Sequence, residues 1–488
     1  MRNISSILFL ALVASLASAK TAADLKRPAA NSTVRVIVQY STQPTEAHFR
    51  KVTDQLGRIH RAYEHLPMAS LDVTEAGLTA LENDPDVVYV SPDREVHGTL
   101  EHVGASVDLT PLTNYYNSIK RAKAAGVGIA VIDSGLDPTQ PYFTTYLSSP
   151  SRILHSESFI DSTPNDLYGH GTHVAAIIAG VDNVTSALPS KLAAYWGMAP
   201  DASLINLKVL DANGSSNDST VIAGIDRAIA LKSIYNIRVI NLSLGRAVFE
   251  SYKVDPLCQA VEQAWKAGIV VVVAAGNDGR DNSAKTNGYG TITAPGNDPY
   301  VITVGAANDK QDLDPSNDVM TSYSSKGPTA IDHIVKPDLV APGNLVISGQ
   351  AAGATLSTNY PGNRITVGNY TPGGSTSASP YFFTLSGTSM ATPVVSGAAA
   401  FLIDKNPSIT PDQVKAKLML TARRTFPSTM TITIPPPAQS TQSMPTFLPW
   451  APGWSIFGQP ITTRACLQVP LLRRRRTTTP RQKPSVSI

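Results

Sequence analysis

Five short apolar runs, Gly128 to Ile132, Ser203 to Val209, Arg238 to Leu242, Ile269 to Ala275 and Val301 to Val304, dominate the middle of this chain. Helical spacing is interposed at His173 to Ala179, Thr220 to Leu231 and Pro256 to Ala267, and follows at Met390 to Ile403 and Pro411 to Thr421. Strands that are apolar on both sides and separated by helices belong to a parallel sheet covered on both faces, which is an α/β fold. Ile269 to Val273 is β-branched throughout, as a central strand of such a sheet should be. The 488 residues are 42% hydrophobic and 16% charged, which allows a sizeable core and excludes an unfolded polyelectrolyte. Cys258 and Cys466 are the only cysteines, so neither a disulfide framework nor a four-thiolate metal site can be built. Cys258 lies in an apolar helical pattern and reads as a core residue.

A smaller pattern precedes this one. Arg35 to Tyr40 alternates, Glu46 to Leu56 has helical spacing, Ala69 to Val73 is strand-like, Glu75 to Glu82 is a short helix and Val87 to Val90 is another strand. This predicts a β-α-β-α-β module with two helices on one small sheet. Further upstream, Arg2, the apolar run Ile7 to Leu16 and Ala17-Ser18-Ala19 read as a secretory signal over residues 1–19. The run is too short for a membrane anchor, which needs roughly 20 apolar residues. Past Phe426 the periodicity stops, and residues 427–488 hold seven basic residues, no acidic ones and eleven of the 36 prolines. The net charge of +3 therefore resides in this tail, which reads as disordered, and supports no nucleic-acid partner. Three readings of it stand together: a linker to a wall or anionic surface, a segment removed by processing, or a mis-called coding end.

Three segments place a reactive side chain at the boundary of a regular element. Asp133 follows the strand Ile129 to Ile132, His170 opens an apolar helix, and Ser389 precedes another, flanked by Gly387 and Thr388. A serine hydroxyl becomes a useful nucleophile only when a neutral imidazole takes its proton, and a carboxylate on the far ring nitrogen fixes the tautomer. Ser389, His170 and Asp133 fit those roles. A helix N-terminus behind Ser389 offers a free N–H to a developing oxyanion, and Asn277, after the strand Ile269 to Ala275, is the expected second donor.

The segments VIDSG, HGTHVA, AAGN and SGTSMATP resemble the four signatures of the subtilisin family of secreted serine endopeptidases, in the family's order, over roughly Gly126 to Thr421. GMAPDASLINLKVL, NLSLG and KPDLVAPG extend the match. The resemblance implies a three-layer sandwich with a central, mostly parallel sheet over residues 99–426, preceded by a small α+β propeptide at 34–98. Such a propeptide acts as folding chaperone and intramolecular inhibitor and is cut off by the enzyme itself, here near His97 to Leu100. The resemblance also implies that Ser243, Leu244 and Gly245 pair with the substrate backbone, and that Ala274, Ala275 and Gly276 line the primary specificity pocket.

Simpler readings stand beside these. His170 and His173 have a spacing seen in metal sites, but no Glu lies between them and no third ligand is evident, so no metal is assigned and His173 reads as a packing residue. Calcium is common in the family; residues 181–196 do not match its calcium loop, and Tyr142 stands where a ligand Asp is expected, so calcium stays unassigned. No cofactor is required for the chemistry. Expected partners are protein or peptide substrates and the chain's own propeptide, with the enzyme a monomer. A catalytically inactive binding or adhesion module of the same fold is the alternative.

Overall fold

The computed structural model describes residues 20–99, 124–144, 151–181, 197–310, 316–369, 374–424 and 454–455. The expected signal sequence and nearly all of the tail lie outside them. No helix among the described residues is long and apolar enough to cross a membrane.

Ten strands form the main sheet. Its order is 423–424, 454–455, 339–342, 302–308, 270–274, 237–242, 128–133, 203–208, 153–158, with 319–320 paired to 302–308. The interior pairs are parallel, from Ile153–Ser158 on Ser203–Lys208 through Gly128–Asp133, Ile237–Leu242, Val270–Ala274 and Ile302–Asn308 to Leu339–Pro342. Gly128–Asp133 and Val270–Ala274 are buried at every position, so each strand needs a cover on both sides. Helices His170–Ala179 and Thr388–Lys405 pack on each other, as do Asp218–Ala230 and Pro256–Lys266. The result is the expected three-layer α/β sandwich.

Ile153–Ser158 escapes sequence reading because it is an edge strand whose ILHSES sequence is only one-third apolar. Two residues of the tail, Trp454–Ser455, join the sheet beside Val340 and Arg423–Arg424. Cys258 is buried and its thiol donates to Asn297 Oδ1, in keeping with a core role; Cys466 lies outside the described residues.

The N-terminal module is a four-stranded antiparallel sheet in the order 58–62, 68–73, 34–40, 87–92. Its pattern is therefore β-α-β-β-α-β, one strand more than the sequence suggests. The added strand, Arg58–Ala62, is an edge of sequence RIHRA with no fully buried residue, so no apolar alternation marks it. Helices Glu46–Thr53 and Glu75–Glu82 cover one face over a core that includes Val36, Val38, Val52, Leu71, Leu78, Leu81 and Val90.

Where a calcium-ligating carboxylate was expected, Tyr142 is buried and its hydroxyl donates to Gln350 O. Close by, the buried Arg152 guanidinium donates to the carbonyls of Thr144, Ala202, Tyr142 and Ala179, the last of these ending the His170 helix. Burial pulls its pKa down to about 10, so the side chain stays cationic at neutral pH. A positive charge at a helix C-terminus meets the negative end of the dipole. Arg152→Met strands several of these carbonyls in the interior and should cost about 3–5 kcal/mol in urea unfolding. A loss below about 1 kcal/mol would show that water replaces the guanidinium freely.

Candidate active site

Asp133 ends its strand at the carboxyl edge of the sheet, where ligands of open α/β folds bind. Its Oδ1 accepts the Ser134 N–H at 2.7 Å and lies 2.7 Å from His170 Nδ1. Both side chains are fully buried. The pairing places the proton on Nδ1 and leaves His170 Nε2, which has no protein partner, as the acceptor. Burial works to lower the His170 pKa, but the Asp133 carboxylate outweighs it and the net direction is upward from 6.5.

Sequence reasoning missed the group that holds this histidine in place. Asp166, buried four residues before His170, accepts from the N–H groups of Gly169 and Thr172 and from Ser134 Oγ. Ser134 Oγ in turn accepts the Gly171 N–H at 2.9 Å. The helix has Gly169 at its N-cap position, with φ at +102° and no side chain, so Asp166 supplies the missing cap. A carboxylate just ahead of a helix start is a capping signal that the sequence does show. Gly171 is a close-approach position, because a Cβ there would sit 2.2 Å from Gly135 O.

His173, one turn on, bonds through Nε2 to the carbonyls of Val346 and Phe383, each at 3.1 Å. Burial and the neighbouring His170 push its pKa down to about 3, so it is a neutral packing residue bridging the helix to strands Val346–Gly349 and Ala378–Leu385. No group of three or more His, Cys, Asp or Glu among the described residues is placed to hold a metal ion.

Ser389 is the second residue of Thr388–Lys405, inside the first turn and not just before the helix as expected from sequence. Pro393 has no N–H to give the Ser389 carbonyl, so that oxygen instead accepts from Ser243 Oγ at 2.9 Å. Ser389 Oγ donates back to Ser243 O at 2.9 Å. Asn277 follows Gly276, whose φ of +103° turns the chain out of the strand; a Cβ there would meet Ser325 Oγ at 2.7 Å. Asn277 Oδ1 accepts from Thr388 N and Oγ1, at 3.0 and 3.1 Å, which leaves its buried Nδ2 without a partner in the protein. Ala275 and Gly276 are held from both sides, by Val304 and Thr293 and by Thr388 and Ser325.

The chain's own residues fill the cleft beside these groups. Glu95–Gly98 runs between Leu244–Gly245 and Ser215–Asn217 as the middle strand of a three-stranded antiparallel sheet. Thr99 N donates to Ser243 O at 3.2 Å, and Thr99 Oγ1 lies 2.6 Å from Ser389 Oγ. The nucleophile candidate thus bonds to Ser243 and Thr99. Ser389 Oγ at the helix start makes no hydrogen bond to the carboxylate-paired His170, whose Nε2 is without a partner in the protein, as is Asn277 Nδ2.

Residues 124–443 match the model of the subtilase family, a peptidase family. The chain is 32% identical over 400 residues to serine protease AprX of Bacillus subtilis, covering 78% of this chain and 81% of that protein. Subtilisin E from the same species is 32% identical over 374 residues, or 76% and 79% of the two chains. In fold, the chain resembles fervidolysin of Fervidobacterium pennivorans, a keratinolytic enzyme related to subtilisin, with a TM-score of 0.58 at 21% identity. That match covers 83% of this chain and 59% of fervidolysin.

Proposed function

Because this chain belongs to the subtilase family of serine endopeptidases, which need no cofactor for their chemistry, we propose that Ser389 is its nucleophile, His170 its general base and Asp133 the carboxylate that orients the base. The Ser389 hydroxyl swings from Ser243 O towards His170 Nε2, which takes its proton as Oγ bonds to the substrate carbonyl carbon. The resulting oxyanion accepts hydrogen bonds from Asn277 Nδ2 and the Ser389 N–H. His170 then returns the proton to the departing amine as the C–N bond breaks, and water repeats the sequence to release the acid. Ser243, Leu244 and Gly245 bind the extended peptide, and Ala274, Ala275 and Gly276 wall the pocket for the residue before the cut.

The chain is a secreted zymogen in this reading. Residues 1–19 direct export, 34–98 form the inhibitory, fold-assisting propeptide, and 99–426 the peptidase domain. The observation that carries it is the Glu95–Thr99 segment, which lies antiparallel on Leu244–Gly245 and ends with Thr99 on Ser389. A strand added to a sheet edge is how a protease holds peptide. The bond from Thr99 to Leu100 is therefore the self-processing site, within the span expected from sequence and one residue past the expected domain boundary, so that Thr99 departs with the propeptide. N-terminal sequencing of the mature secreted enzyme should read from Leu100, and an organophosphorus reagent should label Ser389. A mature chain that still begins before Arg94 would defeat the processing reading. An unlabelled Ser389 in that mature chain would favour the inactive module.

A further inference from the structure

The strand that fills the cleft reaches further from the reacting centre than the residues paired with Leu244 and Gly245. Counting back from Thr99, Arg94 is the sixth residue, and its carbonyl accepts the Asp218 N–H at 2.8 Å. The larger domain thus fixes the backbone at this position whatever side chain it carries. The Arg94 guanidinium is buried, bonds to Glu250 Oε1 at 2.6 Å and lies 5.1 Å above the Phe249 ring. The other Glu250 oxygen accepts from Tyr89, also in the N-terminal module. Both oxygens of Glu250 therefore lose these partners when residues 20–99 depart. Arg246, whose guanidinium lies 6.0 Å from the centre of the Phe249 ring, does not replace them, because Asp218 and Asp255 hold it. Phe249 is 50% exposed even with the module in place.

We infer that Glu250 and Phe249 form a subsite for a cationic side chain, Arg or Lys, six residues before the scissile bond of the substrate. The inference rests on the reading that residues 94–99 lie along the path taken by substrate. A carboxylate and an aromatic face converging on one point select a guanidinium or ammonium over neutral and acidic groups. Asp24 takes two further nitrogens of Arg94 and is itself in the module, so a substrate cation meets Glu250 and Phe249 without it.

The test uses mature enzyme from the full chain and peptides copying residues 92–103, with Arg, Ala or Glu at the position of Arg94. The Arg peptide should exceed the Ala peptide about tenfold in kcat/KM, through KM, with Glu poorest and the preference fading as salt rises. Glu250→Gln, whose amide oxygen can still accept from Tyr89 during folding, should bring the Arg-to-Ala ratio close to one. Should that variant fail to mature, Phe249→Ala is read in the same way. A wild-type ratio near one, with the peptides still cut, overturns the subsite and leaves the peptidase reading intact. Failure to cut any of the peptides overturns both.

Discussion

Ser389→Ala stops peptide hydrolysis and leaves a secreted chain that still carries residues 20–99. The expected fall in kcat is about 10⁶-fold, a size taken over from subtilisin, a member of the same family. The physical reason is that a methyl group replaces the hydroxymethyl group whose oxygen lies at the helix start and against Thr99 at the end of the inserted strand. What survives is binding along Leu244–Gly245 and the two oxyanion donors, which do not supply a nucleophile. The structural cost is small, because Ser243 Oγ still donates to the residue 389 carbonyl and only the side-chain hydrogen bonds to Ser243 O and Thr99 Oγ1 are lost. The retained N-terminal module makes the result readable on a gel as well as in a rate. Appearance of the shortened chain in this variant, without added protease, would mean that another enzyme makes the cut.

Asp133→Asn should lower kcat by about 10⁴-fold, the scale known for the equivalent change in a serine protease of another fold. An amide donates where the carboxylate accepts, so His170 Nδ1 turns acceptor and the proton moves to Nε2, the atom that must take the Ser389 proton. The pH profile carries a second, independent signature. Neutral His170 is the active form, and Asp133 raises its pKa above 6.5, so activity falls with pH along a limb centred above that value. Departure of residues 95–99 rehydrates the ring and relieves the burial that works to lower its pKa, which moves the limb in the same upward direction. With Asn at 133 the main raising cause is gone, only the weaker pull of Asp166 remains, and the limb should shift down. A limb unmoved by this change would mean that a different group titrates.

The parts of the fold that were legible in sequence are those where burial dictates composition. Val270–Ala274 and Gly128–Asp133 read as strands because solvent touches neither face, whereas Ile153–Ser158 and Arg58–Ala62 carry polar side chains on edges and leave no period to find. Within the site, Asp133, His170, Asn277 and Ser389 stood out through local motifs. Asp166 did not, since its role depends on Gly169 leaving a helix start without a cap. The seating of Thr99 against Ser389 was implied by the family resemblance alone, which put the cut near His97 to Leu100; no local pattern of residues marks it. It follows from pairing between segments far apart in the chain, which only the assembled sheet brings side by side.

Asp93 gives one of those long-range contacts a thermodynamic meaning. Its carboxylate accepts from the N–H and hydroxyl of Ser219, so the N-terminal module supplies a cap for the first turn of Asp218–Ala230 in the larger domain. Glu64 and His65 N–H groups bind Asp226 further along the same helix. Whatever free energy these contacts lend to the folded larger domain is, by reciprocity, the free energy with which that domain retains the module. Assistance in folding and resistance to activation are then one quantity seen from two sides. A change that weakens Asp93 would lower the domain's affinity for the module and the module's stabilisation of the folded domain by the same factor, so neither equilibrium can be tuned alone.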